Sequence, residues 1–244
     1  MECNLESSDY LNHYFDRIFI INLEHRTDRW ESIEKYLNKY NITNYERFSA
    51  ISPQNIHAIP ENFYKDMHNL TGDIRYYLGA VGCKMSHYYI VEESKKRNYS
   101  RILILEDDAE FIEDFGKKIV KVLDGFTKVS KQYPDWALFY IGANFDNKTP
   151  QKVVVDCDKT ENETNIFWSK DCLTTHAYAI HSNIFNLISE NLLTTSVEID
   201  RFYKIIVQPY YNCFCTYPSL IIQKAGYSDI VCKEMSYKNI GVIT

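Results

Sequence analysis

The chain has 244 residues, 45% hydrophobic and 25% charged, with a formal net charge of -6. Those values suit a folded globular protein and argue against disorder and against a nucleic-acid binder, which would carry a basic surplus. No uncharged apolar stretch of about 18 residues occurs, so no membrane span is expected. The opening "MECNLESSDYLNHYF" lacks the basic and apolar regions of a signal peptide, which points to a cytoplasmic protein. Seven scattered cysteines without a C-x-x-C pair read as reduced thiols and argue against a structural zinc site. Twenty tyrosines and thirteen phenylalanines read mainly as an aromatic core.

"RIFIINL", 17 to 23, is an apolar run of strand length. In the next segment Trp30, Ile33, Leu37 and Tyr40 share one helical face, and Asp28 with Glu31 resembles a capping box. "YERFSAI", 45 to 51, is a second strand. Residues 52 to 78 carry Pro53, Pro60 and Gly72 and read as a long, partly irregular insert. A helix follows through Val81, Met85, Tyr88 and Tyr89, and then a strand at 101 to 106. A helix around 115 to 130 packs Ile119, Leu123 and Phe126. Further strands are expected at 136 to 142, 152 to 156, 173 to 180, 211 to 216 and 219 to 223. Ser182 is placed to cap a helix holding Ile184, Phe185, Leu187 and Ile188, and a short helix follows Asp200. The early alternation of strand and helix predicts an α/β fold with a mostly parallel sheet, and the strand-rich end predicts a mixed one.

"RILILEDDAEF" sets Glu106, Asp107 and Asp108 directly behind a buried strand. Ligands bind beyond the carboxyl ends of strands in open α/β sheets. Adjacent carboxylates repel unless a cation joins them, and hard oxygen ligands suit magnesium or manganese with substrate phosphates. The alternative is a solvated loop whose acids cap the next helix. At the end of the first strand Asn22 is placed to bond a base or ribose. Arg26 and Arg29 follow it, where guanidinium groups suit phosphate oxygens; two ordinary surface arginines are the alternative.

The segments "IFIINLEHRTDR", "FSAI", "GAVGCKMSHYYIVEES", "RILILEDDAEF", "THAYAIHSNIFNLI", "SVEIDRF" and "PSLIIQKAGYSDI" occur in that order. Together they resemble glycosyltransferase family 25, over about residues 17 to 230. The resemblance implies a GT-A (Rossmann-like) fold and metal-dependent transfer, with inversion, from a UDP-sugar. It implies one glycosyltransferase domain over 1–244. Residues 1–15 would be an N-terminal extension, about 16–145 the donor side and about 146–235 the acceptor side.

By motif position, Glu106 and Asp108 look like the first and third metal-site members of a D-x-D-type element for manganese or magnesium: Asp108 would touch the metal directly, Glu106 would act through water or the ribose, and Asp107 would help orient the loop. Asp200, in "VEID", aligns with an element beside the acceptor and is the candidate general base; its alternative role is a helix N-cap. Ser86 and His87 match an element near the donor, and Asp229 in "YSDI" could reach the metal or sugar. A packed helix histidine and a turn-capping aspartate are the bland alternatives. Cys83 reads as a small buried filler. His176 departs from the glycine common at that position and could alter sugar or acceptor choice. The acceptor would be a glycan, a lipid-linked glycan or a protein; a homodimer stays open. Two other readings remain: a sugar-nucleotide-binding module that has lost catalysis, and an unrelated metal-dependent phosphohydrolase.

Overall fold

A computed structural model describes residues 7–52, 74–145, 150–153 and 166–236. Most of the insert expected at 52 to 78, and residues 154 to 156 of the strand expected at 152 to 156, lie outside the described residues. Among the described ones Lys152 forms a single bridge to Phe167.

The helices are α1 (Ser7–Tyr14), α2 (Thr27–Lys39), α3 (Ile74–Lys96), α4 (Phe115–Gln132), α5 (Phe185–Asn191) and α6 (Ile199–Phe202). The last runs on into a π-helical stretch, Tyr203–Val207. The strands of the main sheet are β1 (Arg17–Asn22), β2 (Tyr45–Ser49), β3 (Arg101–Glu106), β5 (Leu138–Phe145), β6 (Ile166–Trp168), β7 (Cys172–His181) and β8 (Cys213–Thr216). Two short pairs stand apart: β4 (Ala109–Phe111) with β9 (Ile221–Gln223), and β10 (Gly226–Ser228) with β11 (Lys233–Met235).

The main sheet has seven strands in the order β2-β1-β3-β7-β5-β8-β6. β1, β2, β3, β5 and β8 run one way; β7 and β6 run against them. The sheet is therefore mixed, as the strand-rich C-terminal part predicts. Both faces are covered, which is why β1 and β3 read as unbroken apolar runs rather than alternating ones. Ile18, Ile20, Leu103 and Leu105 face one layer, with Ile33 and Leu37 of α2 and Ile119, Leu123 and Phe126 of α4. Phe19, Ile21, Ile102 and Ile104 face the other, with Ile90 and Val91 of α3 and Phe185 and Ile188 of α5. Phe126 stacks on Phe139 of β5 with ring centroids 3.8 Å apart, anchoring α4 to the sheet.

Local sequence signals are corrected in three places. The capping box at Asp28 and Glu31 does not form: Arg26 holds the N-cap position of α2, and the Asp28 carboxylate takes two bonds from the Arg26 guanidinium instead. His181, not Ser182, caps the turn before α5, its ring accepting from the Asn183 amide at 3.3 Å. α3 begins at Ile74, inside the segment expected to be irregular.

Candidate active site

The parallel register sets Ile21 of β1 beside Glu106 of β3, so the end of β1 and the acidic triplet meet at one edge of the sheet. Asp107 and Asp108 form the turn into β4, and α4 starts only at Phe115. They are therefore not helix caps.

The three carboxylates meet different fates. Asp107 is clamped: the Asn22 amide donates to it at 2.7 Å and Arg29 at 2.8 Å. Burial pushes its pKa up, and Arg29 and Asn22 pull against that. Glu106 accepts from the Thr175 hydroxyl at 2.6 Å and lies 3.4 Å from His87 Nε2. Burial pushes it up, but His87 and Thr175 outweigh burial and the net direction is down. Asp108 has little help. Gln223 donates to its Oδ2 at 3.1 Å, while its buried Oδ1 has no hydrogen-bond partner. Burial first, then the neighbouring Glu106 charge, push Asp108 up to about 7. Buried anionic oxygens short of positive charge are what a hard divalent cation satisfies, so Glu106 and Asp108 fit a manganese or magnesium ion.

Asn22 is engaged by the protein on both polar atoms, for its carbonyl oxygen also takes a bond from Arg47 Nε at 3.0 Å. It orders the acidic turn rather than offering a free amide. Arg26 pairs with Asp28 and, through Nη1, with Asp229. Arg29 reaches both Asp107 and the Tyr227 carbonyl, the latter at 2.6 Å. Both arginines are thus tied to the β10–β11 hairpin region, whose Ser228, Asp229 and Ile230 line one cavity together with the acids.

Three cavities open around the acids; the one of about 310 Å³ lies against Arg26, Arg29, Asp107 and Asp108, and the other two adjoin each other at Glu106. The first of these two, of about 110 Å³, is lined by Asn22, Arg29, the three acids and Asp229 among others. The second, of about 180 Å³, is lined by Tyr76, Glu106, Thr175, Glu198 and Asp200 among others. Glu106 and Cys83 border both. Asp200 lies in the first turn of α6, where Glu198 is the N-cap, so the capping alternative is not realised at that position. Its carboxylate accepts the amides of Arg201 at 2.7 Å and Thr174 at 3.4 Å. Burial raises its pKa despite these bonds. Thr174 carries φ +65°, a conformation that costs a β-branched residue about 1–3 kcal/mol and that the surrounding structure must hold in place.

Ser86 is a structural tie: its hydroxyl donates to the Gly82 carbonyl and accepts the Ile51 amide. His87 is fully buried, with Nδ1 2.8 Å from the Tyr178 hydroxyl and Nε2 facing Glu106. Asp229 lines the first cavity but its carboxylate is on Arg26. His176 borders neither cavity. It is packed between Thr174 and the Ile221 carbonyl, and burial holds its pKa down.

Sequence reasoning overlooked Thr175, Gln223 and Lys84. Thr175 and Gln223 are ordinary strand residues brought to the acids by β7 and β9. Lys84 is 3% exposed and donates to the carbonyls of Thr195 and Val197, pinning the segment that leads into Asp200. A lysine on an apolar helix face was the available signal for it. Cys83, read as filler, in fact borders both cavities.

Comparison with known proteins finds relatives among glycosyltransferases. Human procollagen galactosyltransferase 2 is 29% identical over 165 residues, covering 64% of this chain and 25% of that protein. The putative glycosyltransferase R655 of Acanthamoeba polyphaga mimivirus is 31% identical over 150 residues, 58% of this chain and 42% of that one. A human relative named inactive glycosyltransferase 25 family member 3 is 26% identical, over 81% of this chain and 33% of its own length. The chain thus spans less than half the length of these relatives. A crystal structure of a glycosyltransferase involved in glycosylation of the PBCV-1 major capsid superposes with a TM-score of 0.47 at 11% identity, over 87% of this chain and 94% of that one. The family model described as glycosyltransferase family 25 (LPS biosynthesis protein) matches residues 15–203, and the chain belongs to that family.

Proposed function

We propose that the protein is a metal-dependent, inverting glycosyltransferase that moves a sugar from a UDP-sugar to a hydroxyl of a glycan, lipid-linked glycan or protein. The observation that carries the reading is the pairing of unlike acids at the end of β3. Arg29 neutralises Asp107, while Asp108 keeps an unpartnered buried oxygen beside Glu106. Glu106 and Asp108 would hold manganese or magnesium. When bound, that ion supplies positive charge to a departing diphosphate.

The remaining roles fall to the chain itself. Arg29, on the wall of the first cavity, adds a guanidinium beside the leaving group. Arg26 can join it only by leaving Asp229. Asp200, on the second cavity, takes the acceptor proton as the acceptor oxygen bonds to the anomeric carbon. The bond from that carbon to the phosphate oxygen breaks, and UDP leaves with the electron pair. The raised pKa of Asp200 makes it a better base than an exposed aspartate.

The test is a donor screen. Several UDP-sugars are incubated with the full chain, with and without manganese, and UDP release is measured. Release that depends on both sugar nucleotide and manganese supports the reading. UDP binding without release from any donor favours a module that has lost catalysis, and no UDP binding with manganese present rejects both.

A further inference from the structure

We propose that Cys83, His87 and Glu106 form a second cation site, selective for a thiophilic divalent ion such as zinc. One ligand atom from each lies within 4.8 Å of the others. Cys83 and His87 are one turn apart on α3, so both side chains leave the same helix face. Glu106 meets them from the end of β3. The site therefore joins the helix layer to the sheet edge.

His87 points to a ligand independently of the thiol. Its ring is fully buried, yet Nε2 makes no hydrogen bond. Its distance to Glu106 Oε1, 3.4 Å, is longer than a charge-assisted hydrogen bond, which runs about 2.7–2.9 Å. Two light-atom ligands about 2.0–2.1 Å from one tetrahedral ion stand about 3.3–3.4 Å apart. If Nδ1 donates to Tyr178, the Nε2 lone pair faces a carboxylate. If Nε2 carries the proton, it faces Glu106 at 3.4 Å without forming a hydrogen bond. A cation between them satisfies both groups.

The surroundings match a metal ligand set. Tyr178 holds Nδ1 of His87 at 2.8 Å and is itself 3.1 Å from the Tyr203 hydroxyl. Thr175 fixes Oε1 of Glu106. Such outer partners orient metal ligands. A thiolate, a carboxylate and a neutral imidazole together carry two negative charges, which balance a dication. Without an ion, burial and then the carboxylates of Glu106, Asp200 and Asp108 keep the Cys83 thiol protonated; ion binding displaces that proton. Sulfur and imidazole favour zinc or cobalt over magnesium. The border position of Cys83 and Glu106 leaves a path for entry from either cavity.

The ion shares Glu106 with the proposed manganese site but needs neither nucleotide nor Asp108, so its test is separate from that of sugar transfer. The chelator-treated full chain is titrated with cobalt(II) alone and followed by absorption. The expected result is a near-ultraviolet sulfur-to-cobalt band that saturates at one equivalent, vanishes on adding zinc and persists in excess magnesium. Cys83→Ala should abolish the band and His87→Gln should weaken cobalt affinity by about 10–100-fold, while Asp108→Asn should keep it. Absence of the band in the wild type overturns the proposal, whatever the variants do. So does a band that survives Cys83→Ala, since the cobalt then sits on other thiols. Circular dichroism of the metal-free variants confirms that they fold, and Cys83→Ser replaces Cys83→Ala if the latter does not.

Discussion

Arg29 Nη1 lies 2.8 Å from Asp107 Oδ1 and 3.9 Å from Asp108 Oδ2. One guanidinium thus settles the first acid of the turn and leaves the second exposed to its neighbours' charge. Removing the arginine should strand a carboxylate that is only 8% exposed. Breaking a buried pair from one side costs about 3–5 kcal/mol, and partial exposure of Arg29 lowers the expected loss for Arg29→Gln to about 2–3 kcal/mol. Adding Asp107→Asn should restore at least half of it. Urea unfolding of the two single variants and the double variant measures this, and simple additivity would show that the two residues do not act as a pair.

Asp108 should make stability and metal binding depend on pH in opposite directions. Its folded pKa, about 7, lies above its ordinary value of 3.8. Between those values the folded chain holds the proton that the unfolded chain has lost. Stability from this group is therefore full at low pH and falls as pH rises toward 7. Asp108→Asn removes the slope, and at pH 8 it should be more stable than the metal-free wild type by on the order of 2–4 kcal/mol. Manganese needs the ionised form, so manganese-assisted UDP binding should strengthen through about pH 7 in the wild type and stay weak in Asp108→Asn. Calorimetry at pH 6 and pH 8 reads both; a variant with undiminished manganese dependence would remove Asp108 from the ligand set.

Asp200→Asn keeps the size of the side chain and an oxygen that can still accept the Arg201 amide. A general base contributes about 10²–10⁴-fold to rate. We expect kcat to fall by that range, with melting temperature and UDP affinity nearly unchanged. Near-normal kcat in a folded variant would exclude Asp200 as the base.

Lys84 borders neither cavity, yet it clasps the carbonyls that lead into α6. Burial lowers its pKa to about 8. Lys84→Met should leave those carbonyls without their donor and cost about 1–3 kcal/mol. Because the loosened segment carries Asp200, transfer should drop more than UDP binding. Equal losses in both would mean that Lys84 supports the whole fold rather than the acceptor side.

Much of this architecture could be read from short windows of sequence. The apolar runs of β1 and β3 and the helical stripe of α4 are local signals, and each forms where expected. Glu106, Asp107 and Asp108 at a strand end were equally visible. Their division of labour was not, because it depends on partners far away in the chain. Asn22 is 85 residues from Asp107, and Gln223 is 115 from Asp108. Arg26 shows the same effect in reverse. Spacing marked it as a phosphate ligand, but the fold brings Asp229, 203 residues on, to its guanidinium. The false capping box at Asp28 has a local origin instead, since Arg26, two residues away, takes the carboxylate that a helix amide would otherwise bind.

Ser228 and Ile230 border both cavities, and a β-carbon added to Gly79 of α3 would lie 2.8 Å from the Ile230 backbone. One short segment therefore borders two chambers and packs closely against α3. On the sugar-nucleotide reading this governs traffic. A displacement of this segment would open the donor and acceptor chambers together. Donor and acceptor access are then coupled through these few residues.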